Sequence, residues 1–120
     1  MDRGHIVDAT SSETIVTAAY RTANAWERLC GLLGRAPLDV DEGLLIAPCG
    51  SIHTLFMAYP IDVVYLARDL TVLRVIPALR PWRCSIGFGA ASTLELAAGG
   101  AARAGLVPGR RLRWEAARHT

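Results

Sequence analysis

The sequence lacks lysine entirely, and all 13 of its basic residues are arginines. Arginine forms bidentate and stacking contacts better than lysine does, but the formal net charge of the chain is only +2. A charge this small does not indicate a protein that binds nucleic acid. We therefore attribute the preference for arginine to genomic codon bias and expect no nucleic-acid partner; the alternative is nucleic-acid binding through the arginines.

Long apolar runs are also missing. No stretch approaches the roughly 18 apolar residues that a membrane-spanning helix needs. The N-terminal sequence Met-Asp-Arg-Gly-His contains no apolar core of a secretory signal. We therefore expect a cytoplasmic protein that makes no contact with a membrane.

Cysteine is scarce, with Cys30, Cys49 and Cys84 as the three in the sequence, and an odd number cannot pair completely. A cytosolic chain normally keeps its thiols reduced. No Cys-x-x-Cys spacing occurs, which excludes a zinc knuckle and a thioredoxin-type motif. Walker loops, dinucleotide fingerprints, nucleophile elbows and zincin signatures are missing as well, so we expect no cofactor.

The composition is that of one folded domain, since apolar residues make up 52% and charged residues 20% of the 120 residues. Short β-prone runs between Pro and Gly turns predict a mainly β fold over residues 14–115, a small barrel or sandwich with two short helices. We expect residues 1–13 to be flexible and residues 116–120 to form a tail. Predicted strands lie at residues 14–20, 44–46, 61–66, 71–76, 92–96 and 111–115, and residues 52–57 are predicted as a further extended segment.

Two helices and one long loop complete the prediction. Apolar residues at helical spacing follow Thr22 and stop at Gly34, which predicts the first helix. Residues 97–105 are rich in alanine and predict the second. The segment from Ile76 to Arg83 contains two prolines and is predicted as an extended loop.

Polar groups stand among apparently buried strand residues between Cys49 and Arg83. Cys49 and His53 lie four residues apart and would share one face of a strand. Their contact would create a nucleophile; alternatively, Cys49 is structural and a backbone carbonyl satisfies His53. A zinc site that adds Asp62 and Cys84 matches no established ligand spacing, so we expect no metal.

Asp62 lies in an otherwise apolar strand and needs a hydrogen-bond donor if it is covered. Arg80 or Arg83 would supply a bidentate one, as structural support or as the floor of an anion pocket. Residues 80–83 read Arg-Pro-Trp-Arg. Trp82 between two guanidinium groups suits stacking, phosphate binding or docking of a partner; alternatively, its ring plugs the end of a barrel.

An ordered set of segments resembles the domain of unknown function 192 family, an uncharacterised bacterial and archaeal family. The segments are residues 28–35, 43–45, 53–57, 60–64, 81–83, 94–96 and 105–109. The resemblance covers about residues 15–114 and is to the shorter, unexported type of member. It implies a small β-barrel or sandwich with short helices packed on it, and no established activity.

Three positions depart from the pattern of that family. Ala58 stands where relatives have a basic residue, which would alter a ligand pocket if the charge contacts ligand in the family. Leu70 occupies a turn that usually contains Asp or Gly, and because Leu disfavours a positive φ we expect a different turn here. Arg110 replaces an acidic residue after Gly109.

These observations predict a non-enzymatic binding module for a small anionic ligand or a protein partner. A loop that carries basic and aromatic side chains suffices for binding, whereas no complete catalytic set can be assembled. The alternative is an enzyme that uses Cys49, or a metal, with His53 and Asp62. The predicted ligand-binding residues are His53, Asp62, Arg80, Trp82 and Arg83.

Overall fold

The computed structural model describes residues 1–24, 27, 37–54 and 58–117. In these ranges the chain forms nine strands and one short helix. They are β1 (Asp2–Asp8), β2 (Thr14–Arg21), β3 (Glu42–Ile46), β4 (Ser51–His53), β5 (Ile61–Leu66), β6 (Val72–Leu79), β7 (Cys84–Ile86), β8 (Ser92–Ala97), α1 (Gly100–Arg103) and β9 (Leu112–Ala116). The prediction of a mainly β fold is confirmed.

Seven strands form one mixed sheet in the order β6-β5-β8-β3-β2-β1-β9, and β4 pairs with β7 in a separate two-stranded sheet. Strands β2 and β3 run parallel, whereas the other paired strands are antiparallel. In the described ranges no helix is long and apolar enough to cross a membrane.

The large sheet is not closed, so of the two predicted forms, a barrel or a sandwich, the barrel is wrong. An isolated bridge between Thr71 and Arg111 joins the segments just before β6 and β9, the two edge strands. The Val72 N–H donates to the Arg110 carbonyl at 2.8 Å, and the Leu112 N–H donates to the Leu70 carbonyl at 3.0 Å. Because both strands begin at this antiparallel bridge, they run away from each other and overlap over few residues.

The N-terminal segment is ordered, contrary to the prediction of a flexible residue 1–13 stretch. Strand β1 pairs with β2 on one side and β9 on the other. Ile6 and Val7 are 1% and 2% exposed. A Cβ at Gly4 would collide with the Glu115 carbonyl oxygen and the Trp114 ring, so glycine permits the close approach of β9. Ile6 and Val7 are the only two consecutive apolar residues in this segment, and so short a run did not predict a strand.

The predicted helices and loop are corrected as follows. The second helix occupies only Gly100–Arg103, because residue 97 still belongs to β8 and Gly99 has a φ of 87°. The first predicted helix falls mainly on residues 25, 26 and 28–36, which lie outside the described ranges. Strand β6 extends to Leu79, so part of the predicted loop is strand, and Pro77 is tolerated because β6 is an edge.

Both faces of the central strands are covered, which explains the absence of polar alternation in β5. All six residues of β5 are buried. Side chains such as Val64 and Leu94 belong to one apolar cluster, and Val63 and Leu44 belong to a second one on the opposite face. The ends of β3 and β5 and the start of β8 therefore form a rigid edge on which loops can build a site.

Candidate functional site

An open pocket of about 660 Å³ lies where β3 and β5 end and β8 begins. Residues 47–50, which follow β3, form one wall. Arg68 and Leu70 from the β5–β6 turn form another, and residues 90–92 complete the pocket. Its three segments are far apart in sequence and meet because β8 lies between β3 and β5 in the sheet.

Arg68 supplies the cation of this pocket. Its side chain is exposed and has no hydrogen-bond or ion-pair partner within the described ranges. The turn that carries it is held by hydrogen bonds from the Ala67 N–H to the Thr71 carbonyl and from the Leu70 N–H to the Ala67 carbonyl, both 2.9 Å. The backbone at Arg68 is therefore fixed, whereas its guanidinium group is available to a ligand.

Leu70 adopts a φ of 65°, contrary to the expectation that leucine would avoid a positive φ in this turn. Its side chain packs against the apolar cluster of Val64 and Leu94, which stabilises a conformation that leucine otherwise disfavours. Asp69 accepts a hydrogen bond from the Thr71 N–H at 3.0 Å. Bonding to Thr71 lowers the pKa of Asp69, so this carboxylate stabilises the turn.

Ser92 contributes a buried hydroxyl to the same pocket. Ser92 is one of the residues that line the pocket, yet it is only 4% exposed. Its Oγ has no hydrogen-bond partner in the part of the chain that the structure describes. A buried polar group left unpaired in this way needs an explanation, and a ligand bound in the pocket would provide one.

Among the predicted site residues whose side chains the structure describes, Cys49 alone lines the pocket. Its thiol donates to the Ser51 carbonyl at 2.8 Å. Its carbonyl accepts a hydrogen bond from the Thr93 hydroxyl at 3.0 Å, and its N–H donates to the Ala91 carbonyl at 2.9 Å. The predicted contact with the His53 side chain stays a prediction, since that side chain lies outside the description.

Asp62 has a structural role, and the prediction of an arginine partner is wrong. It is 1% exposed. Oδ1 accepts hydrogen bonds from the N–H groups of Ala78 at 2.8 Å and Gly99 at 3.1 Å. Oδ2 accepts one from the N–H of Ala101 at 2.9 Å. Backbone amides of β6 and α1 thus satisfy the carboxylate where a guanidinium from residues 80–83 was expected.

Residues 80–83 wrap around the buried side chain of Thr54. The Thr54 hydroxyl lies 2.6 Å from the Arg80 carbonyl, to which it donates, and accepts the Arg83 N–H at 2.9 Å. The Trp82 N–H donates to the Thr54 carbonyl at 2.9 Å. Trp82 is 55% exposed, so it does not plug the fold. Arg80, Trp82 and Arg83 do not line the pocket at Arg68.

No metal site emerges from the described ranges, where no group of three or more His, Cys, Asp or Glu could hold an ion. Cys84, the suggested fourth ligand, is exposed on β7. Its register partner in β4 is His53.

Glu95 is a buried carboxyl that the sequence analysis missed. It is 4% exposed, and its register partners are Leu44 in β3 and Val63 in β5. Oε2 has no hydrogen-bond partner in the ranges described. Burial raises the pKa of Glu95 to about 7, and burial also raises the pKa of Tyr65 nearby. An acidic residue inside the apolar strand at 92–96 was the available signal.

Comparison with known proteins supports the fold. The sequence model of the family described as "Uncharacterized ACR", domain of unknown function 192, matches residues 6–114. No curated protein matches the chain. A Sinorhizobium meliloti 1021 protein, described as a "putative transcription regulator", has a similar structure, with a TM-score of 0.79, 24% identity, and coverage of 94% of this chain and 92% of that one.

A protein of unknown function from Novosphingobium aromaticivorans DSM 12444 is also similar. Its TM-score is 0.71 at 21% identity, with 93% of this chain and 84% of that one covered. At these identities the two structures show a shared fold and carry no information on activity.

Proposed function

We propose that this chain, which belongs to the domain of unknown function 192 family, binds a small anion in the pocket at Arg68. The observation that carries the proposal is that Arg68 and Ser92 line the same pocket. The guanidinium of Arg68 is exposed, the hydroxyl of Ser92 is buried, and neither has a hydrogen-bond partner among the described residues. Guanidinium groups bind carboxylates and phosphates through two parallel hydrogen bonds.

The hydroxyl of Ser92 adds a reason for the pocket to hold a ligand. A buried polar group without a partner destabilises a fold by about 1–3 kcal/mol. An anion at Arg68 would accept the hydrogen of that hydroxyl and remove this penalty. The surrounding apolar walls, including Leu70 and Ala91, resemble the usual lining of small-molecule pockets, in which few polar groups orient the ligand.

Calorimetric titration of the natural chain with inorganic phosphate and with acetate tests the proposal. Arg68→Gln should weaken binding roughly 10- to 100-fold, the effect of losing a charge-assisted hydrogen bond. Arg103→Gln is the matched control, because Arg103 is an exposed arginine on α1, away from the pocket. Equal affinity in both variants, or no binding of either anion to the natural chain, would reject the proposal.

The thiol in the same pocket favours a second candidate, an enzyme that uses Cys49 as its nucleophile. Alkylation by iodoacetamide, followed residue by residue with mass spectrometry, separates the two candidates. Exposed Cys84 is the internal reference. An enzyme nucleophile should react at a lower pH than Cys84, whereas a thiol that serves only the pocket wall should react no faster. The protein partner and the cytoplasmic location stay predictions.

A further inference from the structure

Phe88 is a large apolar side chain that is almost fully exposed. It is 90% exposed, against 55–59% for Trp82, Ile86 and Val107. It occupies the turn at residues 87–90, which the Ala90 N–H closes by donating to the Gly87 carbonyl at 3.1 Å. Ala90 itself lines the pocket at Arg68, so Phe88 lies two residues before a lining residue, in the turn that flanks the pocket.

The turn is fixed to the pocket wall, which keeps Phe88 exposed. The Gly87 N–H donates to the Gly50 carbonyl at 2.8 Å, and a Cβ at Gly87 would collide with the ring of Tyr65. Gly89 has a φ of 79°, as the third residue of a type II turn requires. The backbone on both sides is thereby set, and Phe88 cannot move into the core without breaking these contacts.

We propose that the ligand of the Arg68 pocket is a small aromatic anion, whose charged group binds Arg68 and whose ring packs on Phe88. This inference rests on the proposed function. An exposed phenyl ring gains stability when an apolar surface covers it, and aromatic rings pack in preferred stacked or edge-on geometries. The volume of about 660 Å³ lies in the range of pockets that hold small organic ligands.

Two pairs of probes test the inference by calorimetric titration. Phenyl phosphate is compared with inorganic phosphate and benzoate with acetate, so the two arms distinguish a phosphate from a carboxylate. In at least one arm the aromatic member should bind the natural chain about 10-fold more tightly than its partner. A factor of this size is typical of one contact between two aromatic rings and the apolar area that it buries. Phe88→Ala should abolish this ratio and leave the simple anion unchanged.

Matched variants make the result specific. Phe88→Tyr should keep the preference for the aromatic anion because the ring remains. Val107→Ala removes an exposed apolar side chain that does not line the pocket, and should change nothing. Arg68→Gln should weaken the binding of every anion that the natural chain binds.

The outcomes separate the two proposals. If simple and aromatic anions bind with equal affinity in both arms, and both lose affinity in Arg68→Gln, the inference about the ring is wrong and the anion pocket stands. The same conclusion follows if Phe88→Ala keeps the ratio of the two affinities. If no anion binds, or if Arg68→Gln does not change the affinity, the proposal of an anion pocket is wrong, and the inference that rests on it is wrong as well.

Discussion

Replacing Glu95 by glutamine should make the protein more stable at alkaline pH. The carboxyl is buried between apolar neighbours, and burial raises its pKa from 4.5 to about 7. Between these two values the folded protein keeps a proton that the unfolded chain has released. Stability is therefore greatest below the lower value and falls as the pH rises through the window, because the charged form is costly to bury.

The size of the effect follows from the width of that window. At about 1.4 kcal/mol for each pH unit, a pKa raised from 4.5 to about 7 corresponds to roughly 3 kcal/mol of lost stability above neutrality. Glutamine has nearly the same shape and no charge at any pH. Glu95→Gln should thus match the natural chain near pH 4.5 and exceed it by roughly 3 kcal/mol at about pH 9.

Urea unfolding followed by circular dichroism, at several pH values from about 5 to about 9, measures this difference. The carboxyls of Asp8, Asp69 and Glu115 have lowered pKa values. Their contributions are lost in acid, below this range. Glu13→Gln is the control, because Glu13 is exposed. A free-energy difference between Glu95→Gln and the natural chain that stays constant with pH would refute the reasoning.

Three further substitutions test contacts that stabilise the fold. Asp62→Asn should lower the free energy of unfolding by about 2–4 kcal/mol, because an amide nitrogen would replace an oxygen that accepts a backbone hydrogen bond; a loss below about 0.5 kcal/mol would contradict this. Gly87→Ala should cost about 1–3 kcal/mol in urea unfolding through its collision with Tyr65, and an unchanged midpoint would contradict the packing. Thr54→Val should cost about 2–3 kcal/mol and speed proteolysis within residues 80–83; protease resistance equal to that of the natural chain would show that the hydrogen bonds to Thr54 do not hold this segment.

Alternation and β propensity located most strands, since runs such as residues 61–66 contain little but β-branched and aromatic side chains. Strand β1 was missed because its pairing depends on β2 and on the distant β9, which close over Ile6 and Gly4. Propensity within a short window does not contain such partners.

The site was less accessible to sequence reasoning. Cys49 was predicted and does line the pocket, but Arg68 and Ser92 were not, because the pocket depends on the order of strands in the sheet. The partners of Asp62 are backbone amides, which every residue except proline carries. A sequence identifies the side chain that needs a donor and leaves open which backbone group supplies it.

Strands β6 and β9 are the two edges of the open sheet and meet at one isolated bridge. Their exposed edges raise the question of how the protein avoids self-association. An open sheet exposes backbone groups on which another chain can add a strand, the first step toward aggregates. At β6 such a chain would meet Pro77, which offers no amide hydrogen, and the charge of exposed Arg74. At β9, Arg113 is exposed and pairs with Glu115 at 2.8 Å. Proline and charged residues on the two edge strands therefore protect the open sheet from pairing with another chain. A closed barrel needs no such residues because it has no edges.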